Sequence, residues 1–233
     1  MKRVTGGSGS ALSETVESPE LLQHLARDRA LRNHTYRDFT LARLRVERGD
    51  FGGSTLERLT LTEATLEGAD FSHTTLKRVD MRGARLAGAL LARASFSECD
   101  LTEASLTGAQ VERIEMVATA LGNLDLDEAK LVHSRFIGCN LYGVKLRRAV
   151  VIKCSFQTQQ AKEQAELTKA QMAGATLVDC DFKGASLMGA DLRGAMFVRC
   201  QLQAASLTRA QLDGVHFIAC DLTGADIPEG WRR

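Results

Sequence analysis

The sequence predicts an all-β solenoid, a rod of stacked coils, and three observations predict it. An apolar residue recurs at every fifth position over most of the 233 residues. A usually small residue, most often Ala or Cys, stands two positions before each of these centres. The hexapeptide Phe197-Val198-Arg199-Cys200-Gln201-Leu202 is nearly repeated twenty residues later as Phe217-Ile218-Ala219-Cys220-Asp221-Leu222.

Composition sets the outer bounds. Apolar residues make up 44%, aromatics only 5%, and proline occurs twice, so core volume must come from Leu, Ala, Val and a few Phe. The formal net charge of +1 supplies no global attraction to nucleic acid or to an anionic membrane. No apolar run approaches the roughly 20 residues that span a bilayer. The start, Met1-Lys2-Arg3-Val4-Thr5-Gly6, is basic without an apolar h-region, so the expected address is cytoplasmic, with signal-independent secretion left open.

Residues 1–17 are polar around Gly6-Gly7-Ser8-Gly9-Ser10 and are expected to be a flexible tail. Ser18-Pro19-Glu20 combines an N-cap serine, a proline at the first helical position and an acid in the first turn. With Leu21, Leu22, Leu25 and Leu31 near one face, it predicts a short capping helix from about Pro19 to Leu31 within the segment 18–33. Such a cap would cover the apolar end and open strand edges of a solenoid.

From Tyr36 to Phe156 all 25 fifth positions are apolar, the Tyr36 hydroxyl aside. A second series runs from Leu167 to Ile227. Period five suits neither a helix nor a plain strand, but it suits a short extended segment followed by a turn. The centre and the residue two before it then point inwards. Asp70, Asp100, Asn140, Asp181, Arg193 and Asp221 face water.

The units Ala-Asp-Phe-Ser-His (69–73), Cys-Asp-Leu-Thr-Glu (99–103), Cys-Asn-Leu-Tyr-Gly (139–143), Ala-Asp-Leu-Arg-Gly (190–194) and Cys-Asp-Leu-Thr-Gly (220–224) follow the pattern A-[DN]-L-x-x. In this the chain resembles the pentapeptide-repeat family, from about residue 34 to 229. The resemblance implies a right-handed quadrilateral parallel β-helix with four pentapeptides per square coil. Residues 230–233 are left as a C-terminal tail. His34, Phe39, Leu44 and Leu59 are large where the family has a small residue, so the first two coils are expected to be irregular.

Four fives per coil sort the centres onto four faces. The first carries Phe51, Phe71, Leu91, Val111, Leu131 and Val151; the second carries Leu56, Leu76, Phe96, Met116, Phe136 and Phe156. The third carries Leu61, Met81, Leu101, Leu121 and Leu141, with Cys99 and Cys139 entering it; the fourth carries Leu66, Leu86, Leu106, Leu126 and Leu146. The eleven-residue step from Phe156 to Leu167 admits two registers. In one, six residues loop out and Leu167 sits on the third face. In the other, a degenerate unit centred on Ala161 takes the third face with one extra residue. The second is preferred here, because it continues the Phe ladder through Leu177, Phe197 and Phe217 and the cysteine ladder through Cys180, Cys200 and Cys220. Residues 157–164 are then a bulge or small loop.

No catalytic chemistry emerges. The six cysteines occupy the small inward position, where reduced core thiols are the ordinary occupants. Neighbouring parallel rungs are poorly oriented for a disulfide. His24, His34, His73, His133 and His216 have no metal spacing. The outward Asp and Asn residues form ladders, not acid–base pairs, and no nucleophile motif, phosphate loop or dinucleotide fingerprint occurs. No enzyme activity, metal or cofactor is expected.

One surface feature stands out. In the preferred register Val117, Ile137, Val178, Val198 and Ile218, with Met196 beside them, form an apolar column on the Phe face. Leu90, Val132, Val150 and Ile152 form a second patch on the first face. β-branched residues also suit a flat sheet for its own sake.

The leading reading is a non-enzymatic interaction scaffold with another protein as partner, with no direct contact to nucleic acid or membrane. The resemblance implies such roles in bacteria, including accessory roles with secretion systems. A homodimer is a further expectation, though not through a C-terminal helix, because Ile227–Arg233 is too short for one. The resemblance also implies an alternative: a DNA mimic that binds DNA gyrase or topoisomerase and confers quinolone or toxin protection. The near-neutral charge and the outward Arg78, Arg93, Arg113, Arg135, Arg147, Arg148, Arg199 and Arg209 weigh against it.

Overall fold

The structure, a computed structural model, describes residues 15–16, 18, 20, 31–157, 165–229 and 231. It is a right-handed parallel β-solenoid of about 9 turns. Each coil contributes at most a three-residue strand to a face. On the second face β1 (Thr15–Val16), β2 (Thr35–Arg37), β3 (Thr55–Glu57), β4 (Thr75–Lys77), β5 (Ser95–Ser97), β7 (Glu115–Val117), β9 (Arg135–Ile137) and β11 (Ser155–Gln157) form an eight-stranded sheet in that order. On the first face β6 (Gln110–Glu112), β8 (Lys130–Val132), β10 (Val150–Ile152), β12 (Thr176–Val178), β13 (Met196–Val198) and β14 (His216–Ile218) form a six-stranded sheet. All pairings are parallel and in register, so like positions lie one coil apart, about 4.8 Å.

The local sequence explains both the corners and the choice between strand and turn. Every fifth residue from Asn33 to Lys153, and again from Lys169 to Gly224, has positive φ between 48° and 70°. This position is the fifth letter of the repeat. Gly fills many of these corners, and none of them holds a β-branched residue, the type for which this conformation is a genuine outlier.

Where Asp or Asn precedes the centre, its side-chain oxygen accepts the N–H of the residue after the centre, except at Asp226, where that residue is Pro228 and has no N–H. Asp70 thus takes the Ser72 N–H at 2.8 Å, Asp100 that of Thr102 at 2.9 Å and Asn140 that of Tyr142 at 3.0 Å. The corner that follows closes on a backbone bond, such as Ala104 N–H to Leu101 C=O at 3.0 Å. This Asx turn is the physical content of the second letter of the repeat. No unit with Asp or Asn before the centre is a strand; the strand units begin instead with residues such as Thr55, Gln110, Arg135, Val150 and Met196.

All six cysteines fall at corners that directly follow a strand: Cys99 after β5, Cys139 after β9, Cys154 after β10, Cys180 after β12, Cys200 after β13 and Cys220 after β14. There a side chain can serve the corner amide. The Ile114 N–H donates to Ser134 Oγ at 3.3 Å, and the Cys200 N–H to Cys220 Sγ at 3.3 Å.

The register at the break is the main correction to the sequence reading. Asn140 pairs with Glu166, Val151 with Leu177 and Ser155 with Asp181. Leu167 therefore lies on the third face, and the chain follows the register that loops out six residues. Phe156 stacks on Phe182 at 4.8 Å, while Leu177, Phe197 and Phe217 continue the first face above Val151. Cys180, Cys200 and Cys220 join Cys154 and leave the ladder of Cys99 and Cys139. The reason is energetic. The other register would put Ala161 where each coil has a large apolar centre, a Leu-to-Ala deficit of about 2–5 kcal/mol. A polar excursion costs chain-closure entropy that grows only slowly with length. The expected bulge at 157–164 lies, apart from Gln157, outside the described residues.

Two further expectations change at the N-terminal end. Thr15 and Val16, placed by sequence in a flexible tail, form β1, which pairs with Thr35 and Tyr36 and covers the edge of the second face. The first coils are regular, since β2 and β3 pair in register. Leu59 and Val79 are buried in the same corner ladder, with Phe39 partly buried below them, so large residues stack on large ones. The expected capping helix falls outside the described residues except for Glu20, which is helical, and Leu31, which is buried as the first rung. At the other end Trp231 sits edge-on over Phe217 with centroids 5.4 Å apart.

The two registers predict different energetic neighbours for Phe156. Phe156→Ala should destabilise by about 3–5 kcal/mol. A double-mutant cycle with Phe182→Ala should show coupling of about 0.5–1.5 kcal/mol, with none for Leu177→Ala, measured by denaturant unfolding. Coupling to Leu177 instead would restore the other register.

Candidate docking face

The corrected register regroups the apolar surface residues. Val132, Ile152, Val178, Val198 and Ile218 are successive partners across β8, β10, β12, β13 and β14. In the neighbouring column of the same sheet Lys130, Val150, Thr176, Met196 and His216 follow one another. Seven apolar side chains that the sequence reading split between two patches are thus one strip on the first face. Leu90 is on that face too, but Gln110 and Lys130 separate it from the strip. Val117 and Ile137 do not belong to it. They pair with each other on the adjacent second face, where Gln157 ends their column.

The strip is accessible. Ile218 is 49% exposed, Met196 39% and Val150 38%, and the others are half-buried by their neighbours along the sheet. A signal for the strip was present in the sequence: Val132 and Ile152 are of the same β-branched type as Val178, Val198 and Ile218, whereas Gln157 is not.

The backbone beneath the strip is held from inside. The Cys180 thiol lies 3.3 Å from the Val151 carbonyl, Cys200 3.4 Å from that of Leu177, and Cys220 3.3 Å from that of Phe197, each as donor. Burial pushes the Cys154 thiol up to about 11. Cys200 rises further, first through its hydrogen bond with the Cys180 thiol and then through burial. Cys220, on the last coil, is raised by burial and is the one partly exposed thiol of the six. Beside it a cavity of about 400 Å³ opens between the last coil and Trp231, lined by His216, Phe217, Ile218 and Cys220 among others. The strip therefore runs into this end pocket.

Elsewhere Leu90, Tyr142 and Met188 are also exposed, but most of the surface is polar and many of its charges pair between coils. Arg58 binds Asp38 at 2.5 Å, Arg78 binds Glu98 at 2.8 Å, and Arg43 binds Glu63 at 2.8 Å, each pair one coil apart. Arg147 holds the Asp127 carboxylate at 2.5 Å, and Arg199 that of Asp179 at 2.7 Å. The guanidinium beside it keeps each of the Asp38, Asp80, Asp179 and Asp191 carboxyls below the usual range. Among the described residues no three His, Cys, Asp or Glu side chains converge on a point that could hold a metal ion. No described helix is long and apolar enough to cross a membrane.

Comparison with known proteins follows from this geometry. The family model for pentapeptide repeats matches residues 48–83, 80–114, 117–157, 165–200 and 197–228. Among solved structures, full-length QnrB1, a plasmid-mediated fluoroquinolone resistance protein, superposes with a TM-score of 0.66 at 22% identity, over 84% of this chain and 94% of its own. HetL, a pentapeptide repeat protein involved in heterocyst differentiation regulation from the cyanobacterium Nostoc sp. strain PCC 7120, aligns at 25% identity over 94% of this chain and all of its own, with a TM-score of 0.45. No curated protein matches the chain.

The thiols offer a direct check. A native-state reaction with a thiol reagent should label Cys220 first, and the other five only on unfolding. Burial raises the thiol pKa of Cys99, Cys139 and Cys154 in the fold, so the contribution of these three to stability is complete below about pH 8.5. It should be lost as pH rises towards the folded value of about 11 seen for Cys99, Cys139 and Cys154. Melting temperatures between neutral and alkaline pH, compared with Cys154→Ala, measure this.

Proposed function

We propose that this chain, which belongs to the pentapeptide-repeat family, is a non-enzymatic docking rod that presents its first-face sheet to a partner protein. The observation that carries the proposal is the strip itself. Val132, Val150, Ile152, Val178, Met196, Val198 and Ile218 are outward, contiguous and apolar on a rod whose other surfaces are largely polar and ion-paired. An apolar strip with a polar surround is the usual signature of a protein-binding surface. The rod also suits the role mechanically. The strip is backed by a continuous core of side chains nearly all fully buried, so a partner meets a preformed surface and little ordering entropy is lost.

The fold likeness to QnrB1 raises the second reading, binding of gyrase through mimicry of duplex DNA. The charge arrangement argues against it. Mimicry of a phosphate backbone needs rows of unneutralised acids. Here Asp38, Glu63, Glu98, Glu115, Asp127, Glu128, Asp179 and Asp191 are each within 4 Å of an arginine.

Two measurements separate the readings. In cells of the native host, lysine-directed crosslinks from Lys130 and Lys153 to a partner should be found, and Val198→Glu should abolish them. Crosslinks that concentrate on another face and survive Val198→Glu would overturn the docking reading. In a gyrase supercoiling assay the purified rod should leave activity unchanged; inhibition at low micromolar concentration would establish the second reading.

A further inference from the structure

We infer that the occupant of the first-face strip is an amphipathic α-helix of a partner protein, lying along the rod axis with acidic residues on one edge. The inference rests on the docking reading and specifies its partner. Shape comes first. Each strand triplet is about 10 Å wide, and the five strands from Val132 to Ile218 span about 19 Å at the coil spacing. A strip of roughly 200–250 Å² by these spacings is far below the roughly 800 Å² per partner of a stable interface between two globular surfaces. A second copy held by this face alone would be poorly held. A single helix, about 10–12 Å across, matches the width, and about 13 residues at 1.5 Å rise match the length.

The backbone decides between a helix and an extended peptide. Strand addition requires a free edge. Along the strip β8, β10, β12 and β13 are each paired on both sides, and the one open edge, that of β14, lies at the end of the rod, where an added strand would extend the sheet and not lie along the strip. Only side chains are on offer, and a helix binds through side chains alone. Its pitch of about 5.4 Å is close to the coil spacing of about 4.8 Å, so successive helical turns meet successive coils with a small drift.

The flanks set orientation and charge. On one side the corner is a row of glycines, Gly174, Gly194 and Gly214, with φ of 67°, 64° and 66° and no side chain to form a wall. Below them Glu128 and Arg148 pair with each other. On the other side stand Arg113, His133, Lys153, Asp179 and Arg199, one per coil. Glu112 pairs with Arg113 and Asp179 with Arg199, which leaves Lys153 as the charge excess of this border; Lys130 stands across the strip, in the column of Val150. A helix with Glu or Asp along the edge that faces this corner is complementary to it. One with Lys or Arg there is repelled.

A displayed library of peptides about 16 residues long, enough for four helical turns, panned on the full-length rod tests the inference. Expected are enriched sequences with apolar residues at i, i+3, i+4 and i+7 and an excess of acids. Synthetic versions should bind about tenfold or more weakly to Val198→Glu and to Ile152→Glu, and more weakly at high salt to the wild type than at low salt. Both substitutions alter outward side chains, so an unchanged melting profile shows that the rod is intact; Lys153→Glu, which removes charge and no apolar contact, should weaken acidic peptides alone. Enrichment of sequences without helical period, binding indifferent to these variants, or no enrichment would overturn the helix. A rod that runs as a dimer dissociated by Val198→Glu would overturn it in favour of self-association. If the helix fails while Val198→Glu still abolishes the crosslinks in cells, the docking reading stands with a different occupant.

Discussion

Backbone hydrogen bonds between consecutive coils bind the rod into one object, and the rest of its structure is arranged around keeping them in register. Phe71 N–H meets the Leu90 carbonyl at 2.8 Å, His73 N–H meets that of Ala92 at 2.7 Å, and the pattern repeats up the rod. The ladder demands four equal sides and four sharp corners per coil. Equal sides require five residues each. Sharp corners require a left-handed residue in each five, which excludes β-branched residues from that position. Each side then holds two inward side chains, usually one large and one small, with pairs such as Leu59 and Leu61 or Leu124 and Leu126 as exceptions. The repeat motif is the sequence-level form of these constraints.

Stacking like on like follows from the same ladder. Because register is exact from coil to coil, a phenylalanine meets the residue one coil away and little else along the axis. Phe136, Phe156 and Phe182 accordingly stack face to face at 5.1 and 4.8 Å. On the surface the same rule pairs acid with arginine one coil apart. These exposed pairs contribute little each to stability, but they neutralise most of the rod and leave the apolar strip as its distinctive surface. The strip is a consequence of register: the side chains that compose it come from units spread over some ninety residues of chain.

The break in the repeat after Phe156 shows how register is chosen. Ladder continuity favoured the register that the structure does not adopt, because the adopted one also keeps an aromatic stack, Phe156 on Phe182, and a cysteine ladder, Cys154 to Cys220. The physical difference lay in what each put inside. One would bury Ala161 at a position built for a large side chain; the other avoids that deficit and lets Phe156 stack on Phe182. A core of fixed cross-section strongly penalises missing volume, whereas a surface loop is tolerated. The outer surface inherited that decision, and Val132 and Ile152 became neighbours of Val178.

The sequence by itself determined the period, the inward and outward positions, the square coil and the interior residues. Each is a local rule repeated many times, so one misfit is outvoted by the rest. It also pointed to all seven apolar residues of the docking strip, but distributed between two faces. The packed rod was needed to settle which coil lies on which across the break, where Thr15 and Val16 pair, and that each of the six cysteines directly follows a strand. Those outcomes depend on how one non-repeating segment is accommodated and on contacts between residues twenty or more apart. A periodic pattern specifies such contacts only up to a choice of register, and the packing energy of the whole rod makes the choice.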